Sequence, residues 1–147
     1  DVPCNFPKDM EILKYFNIEK LSLSKRQHIE LPGEKENLVF DIDNISQDRD
    51  YLRINGWAFI EGQSSRGQEV YIVLQSNHDQ FVFDSSVNCR SDIVKHFSRI
   101  DLDESGFIAT IRKSDMGKGV FRIGFYVKRD GVYGLVFLDS RGKITVD

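Results

Sequence analysis

The sequence predicts an all-β protein, an antiparallel immunoglobulin-like β-sandwich of about eight strands. Three observations carry that expectation. From residue 37 onward apolar residues recur at every second position, the period of a strand with one buried face. Turn residues punctuate these runs at short, fairly even spacing. No helical pattern long enough for a crossover separates one run from the next, so neighbouring strands pair antiparallel.

Taken in order, residues 1–36 read as an arm with a short helix and a linker, and residues 37–147 as the sandwich. In "PKDMEILKYFNIEKL" the spacing of Met10, Ile12, Leu13 and Phe16 predicts a short amphipathic helix after Pro7. "SLSKRQHIELPGEKEN" is polar and interrupted by Pro-Gly, as linkers are. "NLVFDID" is the first strand candidate. "YLRINGWAFI" places Leu52, Ile54, Gly56, Ala58 and Ile60 on one face and Tyr51, Arg53, Asn55, Trp57 and Phe59 on the other. "EVYIVLQS" alternates Val70, Ile72 and Leu74 against Tyr71 and Val73, and "SNHD" turns the chain into "QFVFDSS". "CRSDIVKHF" breaks the rhythm. Ser91 is a candidate N-cap, and Ile93, Val94 and Phe97 cluster at helical spacing, which predicts one or two helical turns over 91–97 bridging the two sheets. "FIATIRK" and "VFRIGFYVKRD" resume the alternation. The Asp-Gly of "RDG" tolerates the positive φ of a tight hairpin. "VYGLVFLDS" and "KITVD" end the chain.

The bulk numbers set outer limits. A chain of 147 residues, 40% hydrophobic and 29% charged, fits one domain with a real core. Its formal net charge of −3, with both signs interspersed, supplies no basic field and argues against nucleic acid. Apolar runs are far too short for a membrane span. "DVPCNFPKDM" lacks the pattern of a signal peptide, so either a leader has been removed or the chain is part of a longer protein. Cys4 and Cys89 either pair in an oxidising compartment, tying the arm to the sandwich, or are two separate buried thiols.

Catalytic and metal signatures are missing. His28, His78 and His96 lie in unrelated segments and read as solvent-facing, and neither HxxxH nor CxxC occurs. There is no GxSxG elbow, and "GKG" at 117–119 lacks the strand, helix and hydroxyl of a phosphate loop. The acidic runs "DIDNISQDRD" and "DLDES" do not match a calcium loop and read as solvated turns. A pair of carboxylates for acid–base chemistry would have to converge across the fold. Asn44 begins the sequon "NIS". Neither a metal nor a cofactor is called for.

Aromatic residues make up 12% of the chain. Tyr51, Trp57 and Phe59 share a strand face, and Tyr71, Tyr126 and Tyr133 point outward on others. Such rings either stack on a sugar or fill a core. Core filling is the expectation for Trp57, with its face covered by the arm, while the tyrosines fit either role.

The order of landmarks "INGWAFIEG", "EVYIVLQS", "RSDIV", "SGFIATI" and "GVFRIGFYV" resembles a β-sandwich accessory module. That module is found on bacterial cell-envelope glycosyltransferases and membrane proteins of polysaccharide assembly. The matching residues are Gly56, Trp57 and Ala58; Arg90, Asp92 and Ile93; Ser105, Gly106 and Phe107; and Gly119, Phe121, Ile123 and Gly124. The likeness spans about residues 38–146. It departs where Ser91 replaces the usual proline and Ile93 the usual valine.

What the resemblance implies is a non-catalytic accessory domain, extracytoplasmic or in the cell envelope, with a cytoplasmic setting as the alternative. It would bind a carbohydrate or a neighbouring domain of a larger polypeptide. The candidate binding residues are Tyr51, Trp57, Tyr71, Tyr126 and Tyr133, with Arg90 and Asp92 as a corner ion pair, either architectural or a ligand clamp. The competing expectations are a glycan-acting hydrolase with paired carboxylates and a structural spacer or oligomerisation domain.

Overall fold

A computed structural model describes Cys4, residues 23–139 and residues 142–147. Among these residues ten strands form two sheets: β1 (Arg26–Gln27), β2 (Leu38–Gln47), β3 (Tyr51–Ile60), β4 (Glu69–Gln75), β5 (Gln80–Phe83), β6 (Ser86–Asn88), β7 (Gly106–Arg112), β8 (Gly119–Arg129), β9 (Val132–Phe137) and β10 (Lys143–Val146). One sheet runs β1-β5-β4-β8-β10 with β9 also on β8, and the other runs β2-β3-β7-β6. All paired strands are antiparallel. The protein is an all-β sandwich, and the strands additional to those expected are the two shortest, β1 and β6.

The period-two pattern places the core between the sheets. Leu52, Ile54, Ala58 and Ile60 of β3 meet Ile72 and Leu74 of β4, Phe107, Ala109 and Ile111 of β7, and Phe121, Ile123, Phe125 and Val127 of β8. Each is essentially sealed from solvent, and each of the Leu, Ile, Val and Phe side chains contributes about 1.5–3 kcal/mol by leaving water. The hairpin between β8 and β9 turns at Asp130 (φ 49°) and Gly131 (φ 79°), the two positive φ values that an Asp-Gly turn accommodates.

Both outer faces are covered as well, which simple alternation does not reveal. On the four-stranded sheet the one α-helix among the described residues, α1 (Ser91–Phe97), lays Ile93 and Phe97 over Trp57 and Phe59 of β3, with Leu102 completing the cluster. On the six-stranded sheet Ile29 and Leu31 lie over Tyr71, Val73, Tyr126 and Leu135. Helix α1 therefore follows β6 and precedes β7 of the same sheet and covers that sheet from outside, rather than bridging the two. Its cap position is Arg90, with no side-chain capping bond, so Ser91 is the first helical residue and not the N-cap.

Residues 23–36, expected as linker, are stitched into both sheets. Leu23 bridges Thr110 beside β7, Arg26 and Gln27 pair with Phe83 and Val82 of β5, and Lys35 bridges Leu135 of β9. The segment thus crosses from one sheet to the other before covering the second. The helix expected near Met10–Phe16 lies outside the described residues. Cys4 and Cys89 are joined by a disulfide, with Cα atoms 5.2 Å apart.

Candidate functional site

The residues singled out from sequence fall in three separate places. Tyr51 and Trp57 share the outer face of β3 but stand six residues apart, about 20 Å along a strand, so they form no common platform. Trp57 is half-buried, stacked on Phe59 (ring centroids 6.1 Å) and met edge-on by Phe97 (5.7 Å). The cover over it, among the described residues, is α1. Tyr51 carries the Arg53 guanidinium above its ring at 5.3 Å.

Arg90 and Asp92 meet each other in the second place. Arg90 Nε and Nη2 donate to the two Asp92 oxygens at 2.9 and 2.8 Å, while Nη1 donates to Asp43. Asp43 is available because β2 bulges there: Ile42 pairs with Gly56 and Asn44 with Asn55, leaving Asp43 with no residue opposite. Gly106 makes room for the arginine, since a Cβ at that position would lie 2.6 Å from Arg90 Cγ. Fork-to-carboxylate pairing holds the Asp92 carboxyl down, from its ordinary 3.8 to about 2. All of Arg90's polar contacts are thus within the protein.

Third, Tyr71, Tyr126 and Tyr133 come together on the outer face of the six-stranded sheet. Tyr71 stacks on Tyr126 at 5.7 Å and Tyr133 meets Tyr126 at 6.2 Å. Tyr71 and Tyr126 are only 8% and 9% exposed, so their ring faces are packing surfaces. The Tyr71 phenol reaches the edge of the sheet and donates to Glu69. Burial, and secondarily that carboxylate, pushes its ionisation up.

That phenol opens onto a cleft of about 290 Å³ at the seam where the chain passes from β5 to β6, between the two sheets. Four segments build it: β1 through Gln27, the start of β4 through Gln68, Glu69 and Tyr71, the crossing through Asp84, and the approach to β7 through Glu104. Asp84 accepts from the backbone N–H of Lys25 at 2.7 Å and from Gln27 Nε2 at 3.3 Å, which fixes its carboxylate at the seam. Glu104 is positioned by its loop. Ser65 Oγ accepts from the Glu104 N–H at 3.2 Å and donates to Asp101 O at 2.9 Å, and Arg66 grips Asp103 with two bonds of 2.9 and 3.2 Å.

Chemically the cleft is a concentration of acceptors. Glu69, Asp84 and Glu104 all face it, and among the described residues none of its lining side chains is basic. Glu104 is only 8% exposed; the Gly67 N–H donates to it at 3.4 Å, and the Arg66 guanidinium lies close enough to interact with its charge. Gln68, 7% exposed, donates Nε2 to Ala58 O at 2.8 Å, while its Oε1 is sealed from solvent without a partner and so is not offered to the cleft. Among the described residues no three His, Cys, Asp or Glu side chains stand close enough to hold a metal ion.

Of the sequence-derived residues only Tyr71 belongs to this cleft. Gln68, Glu69, Asp84 and Glu104 were missed because they come from four chain segments and share no spacing. The expectation for "DLDES" is a solvated turn, and Glu104 departs from it by being buried. No family model, no curated protein and no solved structure matches this chain.

Proposed function

We propose that this protein is a non-catalytic accessory binding module of a bacterial envelope protein, and that it binds a glycan at the acidic cleft between its sheets. One observation carries the reading: three carboxylates from three parts of the chain converge with Gln68 and Tyr71 on a single seam. Sugar hydroxyls donate hydrogen bonds, and a wall of fixed acceptors beside an aromatic edge is the complement they require. Two of those carboxylates are already oriented, Glu69 by the Tyr71 phenol and Asp84 by the backbone of Lys25. Such orientation favours recognition over proton transfer. The Cys4–Cys89 bond supports an extracytoplasmic setting, because disulfides persist in oxidising compartments.

Titrating a panel of bacterial polysaccharide fragments, followed by backbone amide NMR, tests the reading. Shifts should concentrate in 68–71, 84–87 and 104–107. If no fragment perturbs any amide, the module is a spacer and the binding reading falls. The same convergence of carboxylates is what the hydrolase alternative needs. Release of reducing ends that stops on changing Glu69 or Glu104 to Gln would establish that alternative instead.

A further inference from the structure

We propose that a second groove binds a small polar molecule through its carboxylate, with the Arg122 guanidinium as the fork and Lys143 as a second cation. This groove lies at the opposite end of β4 from the acidic cleft, at Gln75 rather than Glu69, and is independent of the cleft reading.

Gln75, Arg122 and Lys143 form one row across β4, β8 and β10 and line a groove of about 510 Å³. Phe121 and Ile123 turn into the core and Ile144 packs against it, so Arg122 and Lys143 leave the sheet on its outer side, directly opposite each other. Like charges so placed destabilise a strand pair. Among the described residues neither cation is ion-paired, not even with Asp139, which also lines the groove. Arg53, Arg90, Arg99 and Arg129 are partly buried as Arg122 is, and each of those four is paired with an aspartate. Arg122 is the exception.

Arg122 is also held in place. Its guanidinium lies on the Phe137 ring, 4.2 Å from the centroid. That ring is seated where Gly124 leaves room, since a Cβ there would stand 2.7 Å from Phe137 Cδ1. Nε is sealed from solvent and has no partner. With Nε closed off and Arg122 lining the groove, the end-on fork of Nη1 and Nη2 is the edge left for a ligand, and its geometry matches the two oxygens of a carboxylate.

Charge selects among anions. Arg122 and Lys143 against Asp139 leave one net positive charge, which a carboxylate matches and a phosphate group, at about −1.5 to −2, exceeds. The volume falls within the range of small-molecule sites, about 300–1,000 Å³, so room remains for the body of a molecule such as a uronic acid.

Titrating the full chain with D-glucuronate, D-glucose and inorganic phosphate, followed by backbone amide NMR, tests the site. Glucuronate should shift amides in 75–77, 120–123 and 142–144; glucose should not, and phosphate should bind more weakly. Arg122→Lys keeps the charge and removes the fork, and should weaken glucuronate at least about tenfold, the scale of one charge-assisted hydrogen bond. Lys143→Gln should weaken it severalfold, while Lys95→Gln, which removes the same charge from the exposed side of α1, should not. If Arg122→Lys fails to fold, Lys143→Gln decides alone, because its side chain is exposed.

Equal shifts with glucose and glucuronate overturn the proposal, as does phosphate binding as tightly as glucuronate. Shifts confined to 68–71, 84–87 and 104–107 place the sugar in the acidic cleft, which overturns this site and leaves the cleft reading intact. Equal weakening by the Lys143 and Lys95 changes assigns the attraction to net charge and overturns it too. So does the absence of any shift with glucuronate.

Discussion

Gly56 and Trp57 are adjacent in sequence and answer to different constraints. A Cβ on Gly56 would collide with the Asp41 carbonyl oxygen and lie 3.0 Å from Ile42 Cα, so the residue is needed for the close approach of the bulged β2 backbone. Trp57 points to the opposite face and packs under α1. The same bulge delivers Asp43 to Arg90, and Gly106 gives the arginine room. Several positions in the resembled pattern therefore meet in one architectural device, a clamp across the outer face of the four-stranded sheet. Asp92 shows how that clamp depends on pH. Arg90 lowers its carboxyl from 3.8 to about 2, so the pair adds stability above the ordinary carboxylate range and loses it as pH falls from about 4 toward 2. Asp92→Asn should melt slightly below the parent at neutral pH. The difference should stay under about 1 kcal/mol because the Asp92 side chain is 63% exposed, and should vanish near pH 2. Melting temperatures across that range check it; a gap that persists in acid assigns the loss to something other than this ion pair.

The strands with one buried face were legible because alternation is a direct image of burial. The inward residues of β3, β4, β7 and β8 are those the period-two pattern selects. Helix α1 was legible in place, over 91–97, but not in its role. Sequence periodicity shows which face of an element is apolar, not which neighbour it meets. β1 and β6 were invisible because two- and three-residue strands carry no period and are defined only by their partners. The covering role of α1 has a measurable consequence. Phe97 meets both Trp57 and Phe59 edge-on, at 5.7 and 5.2 Å. Phe97→Ala should open the face of the sole tryptophan, shift its emission to longer wavelength and increase its quenching by acrylamide. The loss of stability should be about 2–3 kcal/mol, below that of a fully buried phenylalanine. An unchanged emission spectrum would mean that Trp57 is not shielded by the helix.

At the scale of the molecule, what sequence conceals is whatever depends on the path between sheets. The acidic cleft exists because β5 hands the chain to β6 across the seam, with 23–27 running beside it and the Glu104 loop pinned opposite. No spacing in the sequence encodes that meeting. The disulfide is of the same kind. The two cysteines are 85 residues apart, and only the folded chain brings them together, at the end of β6 next to Arg90. A cross-link over so long a segment acts mainly on the unfolded chain, whose freedom it restricts by about 4–5 kcal/mol in the chain-entropy account. The core between the sheets involves neither cysteine. Reduction, or Cys89→Ser, should therefore leave a folded sandwich with unchanged tryptophan emission, lower its stability by up to that amount, and steepen the denaturant dependence as the unfolded state expands. Denaturant titrations with and without reductant measure both effects. Free thiols titrating in the native, oxidised protein would show that the bond does not form, and would withdraw the support it gives to an extracytoplasmic setting.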